Sequence, residues 1–176
     1  MTETNFAQSL KYVLLDEGGN DDDPQDHGGR TSRGITQREW DAWRAAHLEL
    51  NLPSDVWNAP QDQIEAIYHE QYWLPHCPGL PTGVDYMVFD LNVNGGQGRG
   101  TKELQIALGI PADGKWGSQT EAAEEAITDP KEVILRYTAA KRAWYQGLGQ
   151  PRFLRGWLNR TNNVNARALA MVGGQA

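Results

Sequence analysis

The sequence predicts a mostly helical protein, a string of helices in one domain with a small loop or hairpin region after the first. Three observations lead there. Apolar residues recur at helical spacing along most of the chain, glycine and proline punctuate the segments, and strand signal is weak outside residues 20–36. A chain of 176 residues fits one domain, and at that size folding buries about 70% of the unfolded surface, enough for a real core.

The first helix begins at about residue 4. Phe6, Leu10, Val13 and Leu14 form one apolar stripe at about 100° per residue, and Glu17 falls near the middle of it, with Ser9 and Asp16 at its edge. Gly18 and Gly19 follow at once and suit a left-handed stop, which puts Glu17 in the last turn, near the negative end of the helix dipole. Burial and dipole both disfavour a charged carboxylate there, as a general acid requires. A helix end displaced by a few residues would instead leave Glu17 an ordinary solvated side chain, and periodicity alone leaves both readings open.

The later elements follow from local chemistry. Thr36 and Glu39 have capping-box spacing, opening a helix that carries Trp40 and Trp43. Pro60 suits the first turn of the next, which runs through Ile64, Ile67 and Tyr68 to about Trp73 before Pro75, Pro78 and Pro81 break it. Residues 84–93 are apolar on most sides, so a central buried helix is expected, in which Asp90 and Asn94 need partners. Leu104, Ala107 and Leu108 predict a helix from about Gly100 that stops at Gly109. Ser118 with Glu121 would cap another. Asp129-Pro130 opens a long helix through Val133, Ile134, Tyr137, Lys141, Trp144 and Leu148, and a last helix starts at about Arg152. Gly173 to Ala176 reads as a loose tail.

Residues 18–36 are dense in carboxylates, glycines and hydroxyls, a composition that builds no core. Cleaving a sugar–sugar bond takes one carboxylic acid to protonate the leaving oxygen and a second carboxylate to activate water or stabilise positive charge on the ring. Glu17 and Asp26 fit as that pair, since the eight residues between them allow a short hairpin to face one with the other. Thr31 would help to position the water.

This stretch resembles the glycoside hydrolase family 108 muramidases, lysozyme-like enzymes found among phage endolysins and secretion-associated wall hydrolases. The resemblance lies in Glu17-Gly18-Gly19, Asp23-Pro24, Asp26, Gly28-Gly29, Thr31 and Gly34-Ile35-Thr36, with the spacing intact. It continues at Phe89 to Gly96, at Leu104-Gln105 through Leu108-Gly109, at Asp113 to Thr120 and at Phe153 to Arg160, and so covers nearly the whole chain. It implies a lysozyme-like helical fold, with a catalytic part at 1–96 and a helical part at 97–176 that resembles a peptidoglycan-binding module, both in one domain. It implies Glu17 as the catalytic acid, with Asp26 and Thr31 in supporting roles. Asn20 and His27 depart from the family pattern, where an aromatic residue and a proline are common. The implied reaction is hydrolysis of the β-1,4 bond between N-acetylmuramic acid and N-acetylglucosamine, and the implied partner is the peptidoglycan glycan strand.

Composition narrows the alternatives. A net charge of −7 and a pI near 5.0 argue against nucleic acid, which needs concentrated Lys and Arg. They also offer no bulk attraction to an anionic wall, although Arg136, Lys141, Arg142, Arg152, Arg155, Arg160 and Arg167 could form a local basic patch. No apolar run is long enough for stable membrane insertion, and residues 1–5 do not open a signal peptide. The expectation is a monomer made in the cytoplasm that acts in the periplasm or wall, exported by a holin or a secretion system, as the resemblance implies. The single cysteine, Cys77, excludes an intrachain disulfide.

No cofactor or metal is expected. Counted from Asp21, a calcium loop would need glycine at Asp26 and glutamate at Ser32. His69, His76 and Cys77 lack the paired spacing of a zinc site. The candidate substrate contacts are Asn94, Asn92, Trp116 and Asn20. Asn94 could meet an N-acetyl group or cap its own helix, and Trp116 sits in a glycine-rich turn; most other aromatics are expected in the core. Two rival functions use the same residues: a lytic transglycosylase, which needs one acid/base glutamate and no water, and an inactive wall-binding or virion-structural protein.

Overall fold

The computed structural model describes residues 3–17, 20–21 and 30–174. Along them run α1 (Glu3–Glu17), β1 (Asn20–Asp21), β2 (Thr31–Ser32), β3 (Ile35–Thr36), α2 (Gln37–Ala46), α3 (Gln61–Ile67), α4 (Val84–Gly95), α5 (Gln97–Leu108), α6 (Ser118–Glu125), α7 (Pro130–Gly147) and α8 (Pro151–Val172). Short 3-10 turns occupy Leu48–Leu50 and Val56–Asn58, and α3 runs on as a π-helical stretch at Tyr68–Trp73. The mostly helical expectation holds, with its small hairpin region after the first helix. Contacts divide the chain into a smaller unit, Leu10–Gln71, and a larger one, Met1–Ser9 with Tyr72–Ala176. The sequence division at residue 96 falls inside the larger unit, between α4 and α5, which pack on each other.

In the smaller unit, the three strands form an antiparallel sheet in the order β1-β2-β3. The Thr36 capping box forms as its spacing predicts: the Thr36 hydroxyl accepts from Glu39 N, and Glu39 Oε2 accepts from Thr36 N at 2.9 Å. Trp40 and Trp43 on α2 are buried, and each indole N–H finds an acceptor, Pro53 O at 2.9 Å and Gln63 Oε1 at 3.1 Å. Leu10, Val13, Ile35, Ile64, Ile67 and Tyr68 complete this core.

The larger unit is a helical bundle. Its centre is α4, buried from Val84 to Asn92 and packed on α5, α7 and α8. The rings of Phe6, Trp73 and Phe89 meet at centroid distances of 5.4 to 5.9 Å. Ser9, expected at the edge of the apolar stripe, is fully buried. Asp129 caps α7 by accepting from Lys131 N and Glu132 N, and Pro130 follows as the first helical residue. At α6 the expected cap is not made. Ser118 is already helical, and extended Gly117 precedes it without a side-chain cap.

Asp90 finds the partners its burial demands. Its Oδ2 accepts a hydrogen bond from fully buried Lys141 on α7, and its Oδ1 lies 2.9 to 3.0 Å from the Arg160 guanidinium on α8. Burial alone would push this carboxyl up, but the two cations hold it below the usual carboxylate range. Asp85, in the first turn of the same helix, is the opposite case. Burial raises it to about 6, although Asn5 Nδ2 at 2.8 Å and the backbone N–H groups of Tyr86 and Gly83 favour its charged form.

Two pH effects on stability follow, with opposite signs. Asp90 binds its proton less readily folded than unfolded, so its contribution is complete above about pH 4 and is lost as pH falls through its lowered value. Asp85 binds its proton more readily when folded, so stability falls as pH rises from about 4 through about 6. In urea melts at pH 7, Asp90→Asn should cost about 3–5 kcal/mol, because it strands a buried cation. Melts of Asp85→Asn across the pH 4 to 6 window should show a flatter decline than the parent.

Candidate active site

The site is built around a two-residue hairpin turn. Thr31 pairs with Thr36 and Ser32 with Ile35, leaving Arg33 and Gly34 as the loop, and both have positive φ, 51° and 82°. Positive φ at both central residues is the turn whose twist matches a hairpin, and glycine adopts it without strain. Arg33 does so while anchored: its guanidinium reaches Gln61 Oε1 at 2.6 Å and Ala59 O at 2.7 Å.

Gly34 is needed for space as well as for φ. A Cβ there would collide with the Tyr68 hydroxyl and lie 3.2 Å from both Cγ and Oε2 of Glu17. The last residue of α1 therefore sets its carboxyl against the hairpin turn, half-buried, on the face that a missing side chain leaves open. The Gly-Ile-Thr part of the motif thus has a physical reason. Gly34 seats the glutamate, Ile35 is buried beneath the hairpin, and Thr36 starts α2.

Thr31 lies on β2 of the same unit, its carbonyl accepting from Trp57 Nε1 at 3.0 Å. Arg30 covers the Trp57 ring at 4.1 Å and pairs with Asp55 at 2.7 Å, fixing the approach to the hairpin. Asp26 lies outside the described residues. For Asn20 only the backbone, paired with Ser32, is described.

The other expected substrate contacts belong to the larger unit. Asn92 is fully buried; its amide donates to Tyr72 O at 3.1 Å, and its Oδ1 occupies the space that a side chain on Gly100 would need. Asn94 is exposed and folds back on its own helix, donating to Asp90 O at 2.7 Å. Trp116 is half-buried and stacks on His76 with centroids 4.9 Å apart. It borders a surface cavity of about 180 Å³ shared with Gln105, Asp113, Lys115 and Thr120.

Gln105 organises that stretch. Its Nε2 lies 2.9 Å from Asp113 Oδ1, 3.0 Å from Lys115 O and 3.1 Å from Thr120 Oγ1, while its Oε1 accepts from Gly114 N at 2.8 Å. The Lys115 N–H and the Gln105 amide hold the Asp113 carboxyl below its usual range.

The expected basic patch is largely spent on structure. Lys141 and Arg160 serve Asp90, Arg136 pairs with Glu132 at 2.7 Å, and Arg142 reaches Asn162 at 3.1 Å. Aromatics behave similarly. Trp144, Tyr145, Trp157 and Phe153 form a run of ring contacts with centroids 4.6 to 5.8 Å apart, ended by Arg99 over Trp144 and Arg152 over Phe153. Gly95 leaves room for this: a Cβ there would lie 3.0 Å from Trp144.

Tyr68, which helical spacing marks only as core, borders the same space beside Gly34 as Glu17. It sits where α3 widens into a π-helical stretch, a distortion often found at functional sites and one that the sequence spacing does not mark.

Comparison with known proteins agrees with the motif. A family profile described as Glycosyl hydrolase 108 matches residues 10–96, the segment that holds Glu17, the hairpin and α4. The solved structure of Brucella abortus SagA is 34% identical, with 96% of each chain covered and a TM-score of 0.80. Among curated proteins no match is found. The motif, the profile and a similarity running nearly end to end establish that this chain belongs to the glycosyl hydrolase 108 family and is a glycoside hydrolase of a peptidoglycan-degrading kind.

Proposed function

We propose that the protein is an N-acetylmuramidase that cleaves the β-1,4 bond between N-acetylmuramic acid and N-acetylglucosamine, with Glu17 as general acid. One observation carries the reading: the motif glutamate ends α1 with its carboxyl against the hairpin turn that only glycine fits, in the unit that also holds Thr31.

Glu17 donates its proton to the bridging oxygen, which leaves as the 4-hydroxyl of N-acetylglucosamine while positive charge builds on the muramic ring. Asp26 either stabilises that charge or takes a proton from the attacking water, and Thr31 holds the water. A carboxylate separation of about 5 Å gives retention and about 6.5 Å or more gives inversion, so the anomer released first reports which role Asp26 plays. No helix among the described residues is long and apolar enough to cross a membrane. Delivery to the wall is assigned to a holin or a secretion system, with the protein acting as a monomer on glycan strands.

Turbidity clearing of purified sacculi tests the assignment. Glu17→Gln should clear about 10²–10⁴-fold more slowly than the parent, and near-full activity would remove Glu17 from the mechanism. If Asp26→Asn alone keeps activity, the partner carboxylate is to be sought at Asp21, Asp22 or Asp23. Product masses should include one added water per cut. Anhydro sugars lacking it would make the enzyme a lytic transglycosylase instead. Gly34→Ala should lose activity together with roughly 1–3 kcal/mol of stability, because it strains the turn and crowds Glu17.

A further inference from the structure

We propose that Tyr68 is a positioning residue for the acid step, acting through Glu17; the inference rests on the catalytic role given to Glu17 above. Tyr68 is fully buried at the start of the π-helical stretch, and its hydroxyl donates to Arg33 O at 2.8 Å. That bond grips the peptide joining Arg33 to Gly34, the middle of the hairpin turn. On the side of Gly34 where a side chain would stand, the phenol oxygen and the Glu17 carboxyl share one small space, Oε2 and Cγ both 3.2 Å from the vacant Cβ position.

Two consequences follow. The turn cannot rock without breaking the Tyr68 bond, so the surface on which the carboxyl rests is rigid, and proton transfer is steep in such geometry. The phenol donates to Arg33 O and its oxygen borders the same space as the Glu17 carboxyl, so removing the hydroxyl loosens a wall of that space as well as the turn. Tyr68 therefore holds the surface on which the acid rests in place, without touching the substrate.

A leaving-group comparison separates this role from plain structural support. Wild type, Tyr68→Phe and Glu17→Gln are assayed on solubilised peptidoglycan oligomers and on nitrophenyl glycosides of the same oligomers, whose leaving phenolate needs little protonation. On the natural bond Tyr68→Phe should lower kcat about tenfold or more with KM within about twofold, and on the aryl substrate most of that loss should disappear. In a Glu17→Gln background the same change should cost almost nothing further, the non-additivity expected of groups that act as a unit. Equal losses on both substrates, with a lowered melting temperature, would show that Tyr68 only supports the fold and would overturn the proposal. An unchanged kcat would do the same. If Glu17→Gln keeps wild-type turnover, the catalytic assignment itself fails, a result distinct from an active Tyr68→Phe beside a dead Glu17→Gln.

Discussion

Asp90 is the fixed charge around which the larger unit is arranged. A charged carboxylate in the middle of a buried helix is tolerable only if its charge is matched, and here one cation comes from α7 and another from α8. Such a triad is weak evidence of net stability, because desolvating three charged groups offsets much of their attraction. What it supplies is register. Lys141 and Arg160 reach one carboxylate only if both long helices sit at one rotation and one height against α4, so shifted packings of the same apolar faces would leave a charge stranded.

The smaller unit is organised by an absence instead. Gly34 has no side chain, and the space thereby left is filled from two directions, by a glutamate ending one helix and a tyrosine beginning a π-helical turn. Positive φ fixes the turn's twist, the missing Cβ fixes the distance to Glu17, and burial of Ile35 keeps the hairpin on the core. Backbone conformation, packing and chemistry thus meet at a single position.

Much of this was legible where the physics is local. A hydroxyl and a carboxylate three residues apart read as a capping box and form one; an aspartate before a proline reads as the start of α7 and caps it. The run at 84–93, apolar on most sides and alternating too poorly for an exposed strand, reads as a central buried helix and is one. Long-range pairing was not legible. Asp90 visibly needed partners, but Lys141 and Arg160 stand 51 and 70 residues away, where periodicity carries no information, and their charges read instead as part of a basic surface. Asn94 reads either as a contact for an N-acetyl group or as a helix cap; its amide donates to Asp90 O of its own helix, and that of Asn92 to Tyr72 O, a pairing that spacing does not show. Tyr68 read as core, which it is, since a change of helical register leaves no mark in spacing. At Ser118 the local rule itself gave way, because extended Gly117 shifts the helix start by one residue.

The Gln105 clasp changes what a shared motif in that segment means. One amide gathers a carboxylate, a hydroxyl and two main-chain groups from residues 113–120, so Leu104-Gln105 and Asp113-Gly114, two parts of the family resemblance, encode the shape of a loop in this chain. Here those letters spell a knot of backbone. Any hold on glycan in this segment would fall to the side chains that the knot turns outward.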